Sequence, residues 1–153
     1  MYYKIVNSPL GDLTLVANEQ ALQKIVFGTL AEDSLEEKET TLLNQAEDEL
    51  QKYFKGTLKK FAVPVKPQGS YFQMAVWDYL KMVPYGDTIS YGQVAKAIGN
   101  PKAVRAVGQA NNKNPIPIII PCHRVVGKDG SLIGYSGKLE NKKKLLDMEG
   151  LKP

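Results

Sequence analysis

The chain has one cysteine, Cys122, and one histidine, His123, among its 153 residues. A single thiol cannot close an internal disulfide, which fits a reducing compartment and predicts a cytoplasmic protein. One thiol and one imidazole cannot build a cysteine/histidine zinc site. No acidic cluster at ligand spacing offers a carboxylate-only site, so neither metal nor cofactor is expected. No run of 18 or more apolar residues is present, which excludes a helical membrane span. The opening stretch MYYKIVNSPLGDLTL lacks a basic region followed by an apolar block and does not read as a signal peptide. Arginine is scarce too: 18 Lys stand against two Arg, Arg105 and Arg124. Where lysine is the default base, a retained arginine points to a need for its planar, multidonor head.

What is present suffices for a folded chain. At 43% hydrophobic it can bury a core of its own. The net charge of +4 is unevenly placed. Residues 1–67 carry 8 Lys against 10 Asp/Glu, and residues 68–153 carry 12 Lys/Arg against 6 Asp/Glu. Two readings fit the basic half: a polyanionic partner, nucleic acid first, or a solvated lysine-rich surface.

The first third alternates as strands do, in short runs around Tyr3-Ile5, Leu13-Leu15 and Leu22-Ile25-Phe27. SPLGD at 8–12 is the turn between the first two. A helix is expected from a cap at Asp33 or Ser34 to about Lys55, with Leu42, Leu43, Ala46, Leu50, Tyr53 and Phe54 on one face and Gly56 as its stop. A proline-marked connector follows, and the boundary is placed after residue 67. The predicted fold class is α/β. A small N-terminal three-stranded sheet with a helix (1–67) precedes a mostly helical C-terminal domain (68–153).

In the second part, Phe72, Val76, Leu80 and Val83 share a helical stripe, with Trp77 beside it as a core residue. Ser90 caps a short helix from Tyr91 to Ile98. Gly99-Asn100-Pro101 is a turn, and a second helix is expected from Pro101 to about Asn112, with Asn100 as its cap. Two short helices joined by a glycine turn fit a helix-turn-helix. Ala103, Ala106, Gly108 and Ala110 keep the second helix thin, around a projecting Arg105.

The densest stretch is NPIPIIIPCHRVV, from Asn114 to Val126. A cysteine attacks as thiolate, and a free thiol with pKa near 8.5 supplies little of it at neutral pH. A histidine can take the proton. Neighbours on a regular strand point to opposite faces, but Pro121 favours a chain leaving a strand for a turn. There Cys122 and His123 can communicate directly or through one water. The imidazole needs a third group to hold its tautomer, and Asp147 and Glu149 are the late acidic candidates. The alternative is a buried structural cysteine with an accidental neighbour.

PCHRVV preceded by NPIPIII, with SYG-x-VA, GNPKAVRAVG and GSLIGYSG around it, resembles the methylated-DNA–protein-cysteine methyltransferases, the 6-O-alkylguanine-DNA alkyltransferases of DNA repair. The resemblance is dense from Ser70 to Gly150 and extends to the N-terminal SPLG-x-L-x-L run. It implies that Cys122 takes the alkyl group irreversibly from 6-O-alkylguanine, or 4-O-alkylthymine, in double-stranded DNA, once per protein. It implies His123 as base through a water, Glu149 as its orienting group, and Tyr91 as donor to the leaving purine. Arg105 would fill the stack left by a flipped nucleotide, on a helix whose Ala103, Ala106 and Gly108 suit a minor groove. Asn114 would tie that helix to the PCHR turn. Tyr135 and Ser136 would line the base pocket, and Arg124 would hold the turn. No membrane partner is implied, and a monomer is expected. Two other classes remain open: a non-catalytic binder of alkylated DNA and a Cys-His thiol hydrolase.

Overall fold

A computed structural model describes residues 1–30, 32–133, 135 and 139–150. The chain divides into two compact units, Met1–Gln68 and Gly69–Pro153.

The first unit is a four-stranded sheet with one helix. Strands β1 (Tyr2–Val6), β2 (Leu13–Ala17) and β3 (Leu22–Phe27) form an antiparallel meander, and β4 (Glu36–Glu37) adds in parallel to β1. The order is β3-β2-β1-β4. Every residue of β2 is buried, as the central strand of a covered sheet should be. Helix α1 (Thr41–Phe54) buries Leu43, Ala46, Leu50 and Tyr53. Two expectations are corrected here. The sheet has a fourth strand, and the helix starts at Thr41 instead of near Asp33. Glu36 and Glu37 pair with Tyr2 and Tyr3, so the backbone there is committed to the sheet. Thr40 supplies the cap, its hydroxyl accepting from Leu43 N–H at 3.1 Å. Gly56, at φ +80°, ends α1 as expected.

The second unit is mostly helical, as predicted. Helices α2 (Tyr71–Leu80) and α3 (Tyr91–Ala97) both open with a capping box, Ser70 with Gln73 and Ser90 with Gln93. Each serine contributes about 1 kcal/mol to its helix. Trp77 is buried and donates its indole N–H to the Ala110 carbonyl at 2.9 Å, tying α2 to helix α4 (Val104–Asn112). Gly69 makes room for that ring, since a Cβ there would lie 2.5 Å from it.

Helix α3 ends at Gly99, φ +82°, with the Asn100 N–H on the Ala95 carbonyl. Helix α4 starts at Val104, not Pro101. The Ala103 N–H closes on the Asn100 carbonyl three residues back, so Pro101 and Lys102 form a turn and Asn100 is not the cap. After α4 the chain reaches a 3₁₀ turn, Cys122–Arg124, and the short strand β6 (Val125–Val126), which pairs in parallel with β5 (Ile89–Ser90). Helix α5 (Leu139–Met148) closes the unit against the 3₁₀ turn. No helix among the described residues is long and apolar enough to cross a membrane.

Candidate active site

Pro121 sits at φ −80°, ψ 64°, and turns the chain out of the NPIPIII run into the Cys122–Arg124 turn. The approach is held by Asn114. Its side chain donates to the Ile120 carbonyl at 2.8 Å and accepts from the Ile116 N–H at 3.0 Å. Between those bonds lies Ile118, a buried β-branched residue at φ +76°. That conformation costs of order 1–3 kcal/mol and persists only where surroundings over-determine it. The Asn114 bonds and the flanking prolines do so.

Cys122, His123 and Glu149 are all buried. His123 Nε2 lies 2.7 Å from Glu149 Oε2, and a carboxylate can only accept, so Nε2 carries the proton. Arg124 grips the same carboxylate with a fork, Nε to Oε1 at 2.8 Å and Nη2 to Oε2 at 3.0 Å. Its Nη1 reaches the Val83 carbonyl at 2.7 Å. Of the two acidic candidates, Glu149 faces the histidine and Asp147 is exposed. Burial pushes the His123 pKa below its ordinary value against the opposing pull of Glu149, which leaves the ring neutral.

Tyr91 opens α3, and its phenol donates to the Ile133 carbonyl. Burial, with charge at Cys122 as a second cause, raises its pKa to about 12, so it is a proton-bearing donor at neutral pH. Lys142 is a residue that sequence reasoning passed over. It is fully buried, and its ammonium contacts the Val125 carbonyl at 2.5 Å, the Ile133 carbonyl at 3.2 Å and the Tyr91 hydroxyl at 3.5 Å. Burial lowers its pKa to about 8, while charge at Cys122 holds it up. In KKK at 142–144 it looks like solvated charge. Its spacing from Leu145, Leu146 and Glu149, all buried, was the available signal. Asn111 was missed as well. It falls on the buried stripe of Val107, Ala110 and Asn114, and donates to the Cys122 carbonyl at 3.3 Å.

The other expected site residues lie on or near α4. Arg105 is exposed and lines an open groove of about 580 Å³ with Tyr91, Val104, Gly108, Gln109, Asn112 and Ile133. Ala106 is exposed and Ala103 half-buried. Tyr135 is buried. Ser136 lies outside the described residues. Among the described residues no group of His, Cys, Asp and Glu is arranged to hold a metal.

Fold and site together define a protein whose single cysteine is buried in the same short turn as a histidine held by a buried carboxylate. Residues 71–151 match the model of the 6-O-methylguanine DNA methyltransferase DNA-binding domain, and residues 1–67 match that of the ribonuclease-like domain of the same proteins. The chain is 48% identical to the methylated-DNA–protein-cysteine methyltransferase of Methanosarcina acetivorans, over 98% of this chain and 99% of that one. It is 43% identical to the constitutive enzyme of that name from Bacillus subtilis, over 97% and 94%. The Mycobacterium tuberculosis OGT, solved in complex with DNA, superimposes with a TM-score of 0.92 at 41% identity, over 97% of this chain and 92% of that one. The chain belongs to the 6-O-methylguanine DNA methyltransferase family.

Proposed function

We propose that the protein repairs double-stranded DNA by moving a methyl or other alkyl group from the exocyclic oxygen of guanine to Cys122, and that it does so once. The observation that carries this reading is the buried Arg124–Glu149–His123 relay beside a cysteine in the same turn.

The chemistry follows from the atoms. Glu149 occupies His123 Nε2, so Nδ1 is the ring nitrogen open to the thiol proton, directly or through one water. The thiolate sulfur attacks the alkyl carbon in line. A C–S bond forms, the C–O bond breaks, and its electron pair passes to the guanine ring. Tyr91, held protonated, donates to that ring as the charge arrives. The imidazolium formed at His123 faces a carboxylate already in place. A thioether is not hydrolysed by water, so the site is not regenerated.

The target base is stacked inside the duplex and must be extruded, at a few kcal/mol. Arg105, exposed on α4, fills the vacated stack, and Ala103, Ala106 and Gly108 let the helix lie close to the duplex in the minor groove. The α3–turn–α4 pair serves as the helix-turn-helix, and Asn114 ties it to the Cys122 turn. Tyr135 and Ser136 line the pocket for the extruded base. Residues 68–153 thus carry DNA binding and chemistry, and residues 1–67 form the separate α/β domain. The protein acts as a cytoplasmic monomer.

Intact-mass measurement after incubation with excess methylated duplex tests the reading. We expect one added methyl per protein, on Cys122, and none on Cys122→Ser, which still binds duplex. Many product molecules per protein would indicate a hydrolase, and binding without any mass gain a non-catalytic lesion binder. Loss of binding together with transfer in Cys122→Ser would make the cysteine structural.

A further inference from the structure

One side chain joins three parts of the proposed site that lie far apart in sequence. Asn111 is fully buried on α4, the helix whose residues Arg105, Gly108, Gln109 and Asn112 line the groove. Its Nδ2 donates to the backbone carbonyl of Cys122 across 3.3 Å. Its amide also faces the Tyr91 phenol as a donor and favours the ionised oxygen, against the burial that dominates there. Its Oδ1 has no hydrogen-bond partner and no exposure. A buried primary amide with one unmet acceptor is destabilising. An apolar side chain of similar volume would avoid that cost, so stability alone does not account for an asparagine here. The donor side is what the site uses. It fixes the carbonyl of the nucleophile's own residue and supports charge on the phenol that donates to the purine.

We infer that Asn111 is a positioning residue, holding the Cys122 turn and the Tyr91 phenol in register with the groove-lining helix. The inference rests on the proposed alkyl transfer, and it makes two claims that the same variants separate. The first is the contact with the Cys122 carbonyl. The second is its effect on transfer rather than on DNA affinity.

The lone cysteine makes the contact directly observable. Cysteine labelled with ¹³C at its carbonyl gives one resonance, that of Cys122. In Asn111→Leu, which keeps the volume, and in Asn111→Asp, which keeps the shape but turns a donor into an acceptor, this resonance should move. It should stay in place in Asn112→Ala, one residue along the same helix. Transfer should slow about tenfold or more in both Asn111 variants. The loss should be similar on free 6-O-methylguanine base and on methylated duplex, because the contact lies at the chemistry. Duplex affinity should change by no more than about twofold. An unmoved resonance overturns the inference, as does unchanged transfer. A loss confined to duplex, or an affinity falling in step with rate, would make Asn111 a support for the DNA-binding helix. Failure of both variants to fold would make it purely structural. Absence of any mass gain on wild-type Cys122 would instead remove the alkyl-transfer reading, while the resonance would still decide the contact.

Discussion

Lys142 sets a limit on how the proposed site works. A buried ammonium is costly, and its pKa of about 8 measures that cost. The sign follows from linkage. The unfolded lysine holds its proton up to about 10.4. Between there and about 8 the unfolded chain binds more protons, so stability from this group is present above that window and lost as pH falls through it. At neutral pH the fold carries the full cost. His123 behaves likewise further down: its lowered pKa means stability is lost as pH falls below about 6.5. What the lysine returns is a positive charge that its coupling to Cys122 makes useful to a thiolate. Lys142→Met should therefore raise the melting temperature at pH 7 while slowing transfer about tenfold. The gap in rate between variant and wild type should close as pH rises through about 8, where the wild type sheds its charge. A gap that stays constant from pH 6.5 to 9 would show that Lys142 acts through packing and not charge.

At the scale of elements, sequence legibility divides by how local the cause is. Caps and stops of one residue were readable: Ser90 opens α3 and Gly56 closes α1, and of the face expected for α1, Leu43, Ala46, Leu50 and Tyr53 are buried while Leu42 and Phe54 are half-buried. The start of α1 was not readable, because Glu36–Glu37 join a strand more than 30 residues away and no local propensity reports that pairing. The start of α4 slipped by three residues because Asn100-Pro101 supports either a cap or a turn. In the site, Cys122, His123, Glu149 and Arg124 could be named from spacing and resemblance. Lys142 and Asn111 could not, because each sits in a run that looks solvated, and only the helical stripe gave it away. Helix α4 carries a prediction that separates packing from partner. A Cβ on Gly108 would lie 3.9 Å from the Tyr91 ring, ordinary contact, so the fold does not demand glycine there. Gly108→Ala should stabilise α4 by about 0.5–1 kcal/mol and raise the melting temperature by roughly 1–4 °C. If the helix lies against DNA as proposed, the same methyl should weaken duplex binding. A variant both more stable and equally tight would show that this face does not approach the duplex. Arg105→Ala should slow repair of duplex by roughly ten- to a thousandfold, yet leave reaction with the free base nearly unchanged, since the free base needs no extrusion. Equal losses on both would place Arg105 in the fold or the chemistry.

For the whole molecule the open quantity is how charge is spent. Residues 68–153 carry an excess of six positive charges and residues 1–67 an excess of two negative ones. If the positive excess is aimed at phosphates, binding releases condensed counterions, and each neutralised phosphate contributes about −0.9 to the slope of log affinity against log salt. If the extruded base is read in the pocket as proposed, lesion recognition needs little direct base reading along the duplex. The electrostatic part should therefore dominate affinity for damaged and undamaged duplex alike. Titrating affinity between about 50 and 200 mM salt should give nearly the same slope for methylated and unmethylated duplex of one sequence. Lysines that contact phosphate should each lower that slope by about one unit when replaced by alanine. Transfer to free 6-O-methylguanine, which has no phosphate, should hardly respond to salt over the same range. An affinity for duplex that ignores salt would return the basic half to the reading of a solvated lysine surface. The groove along α4 would then have to hold DNA by contacts other than charge.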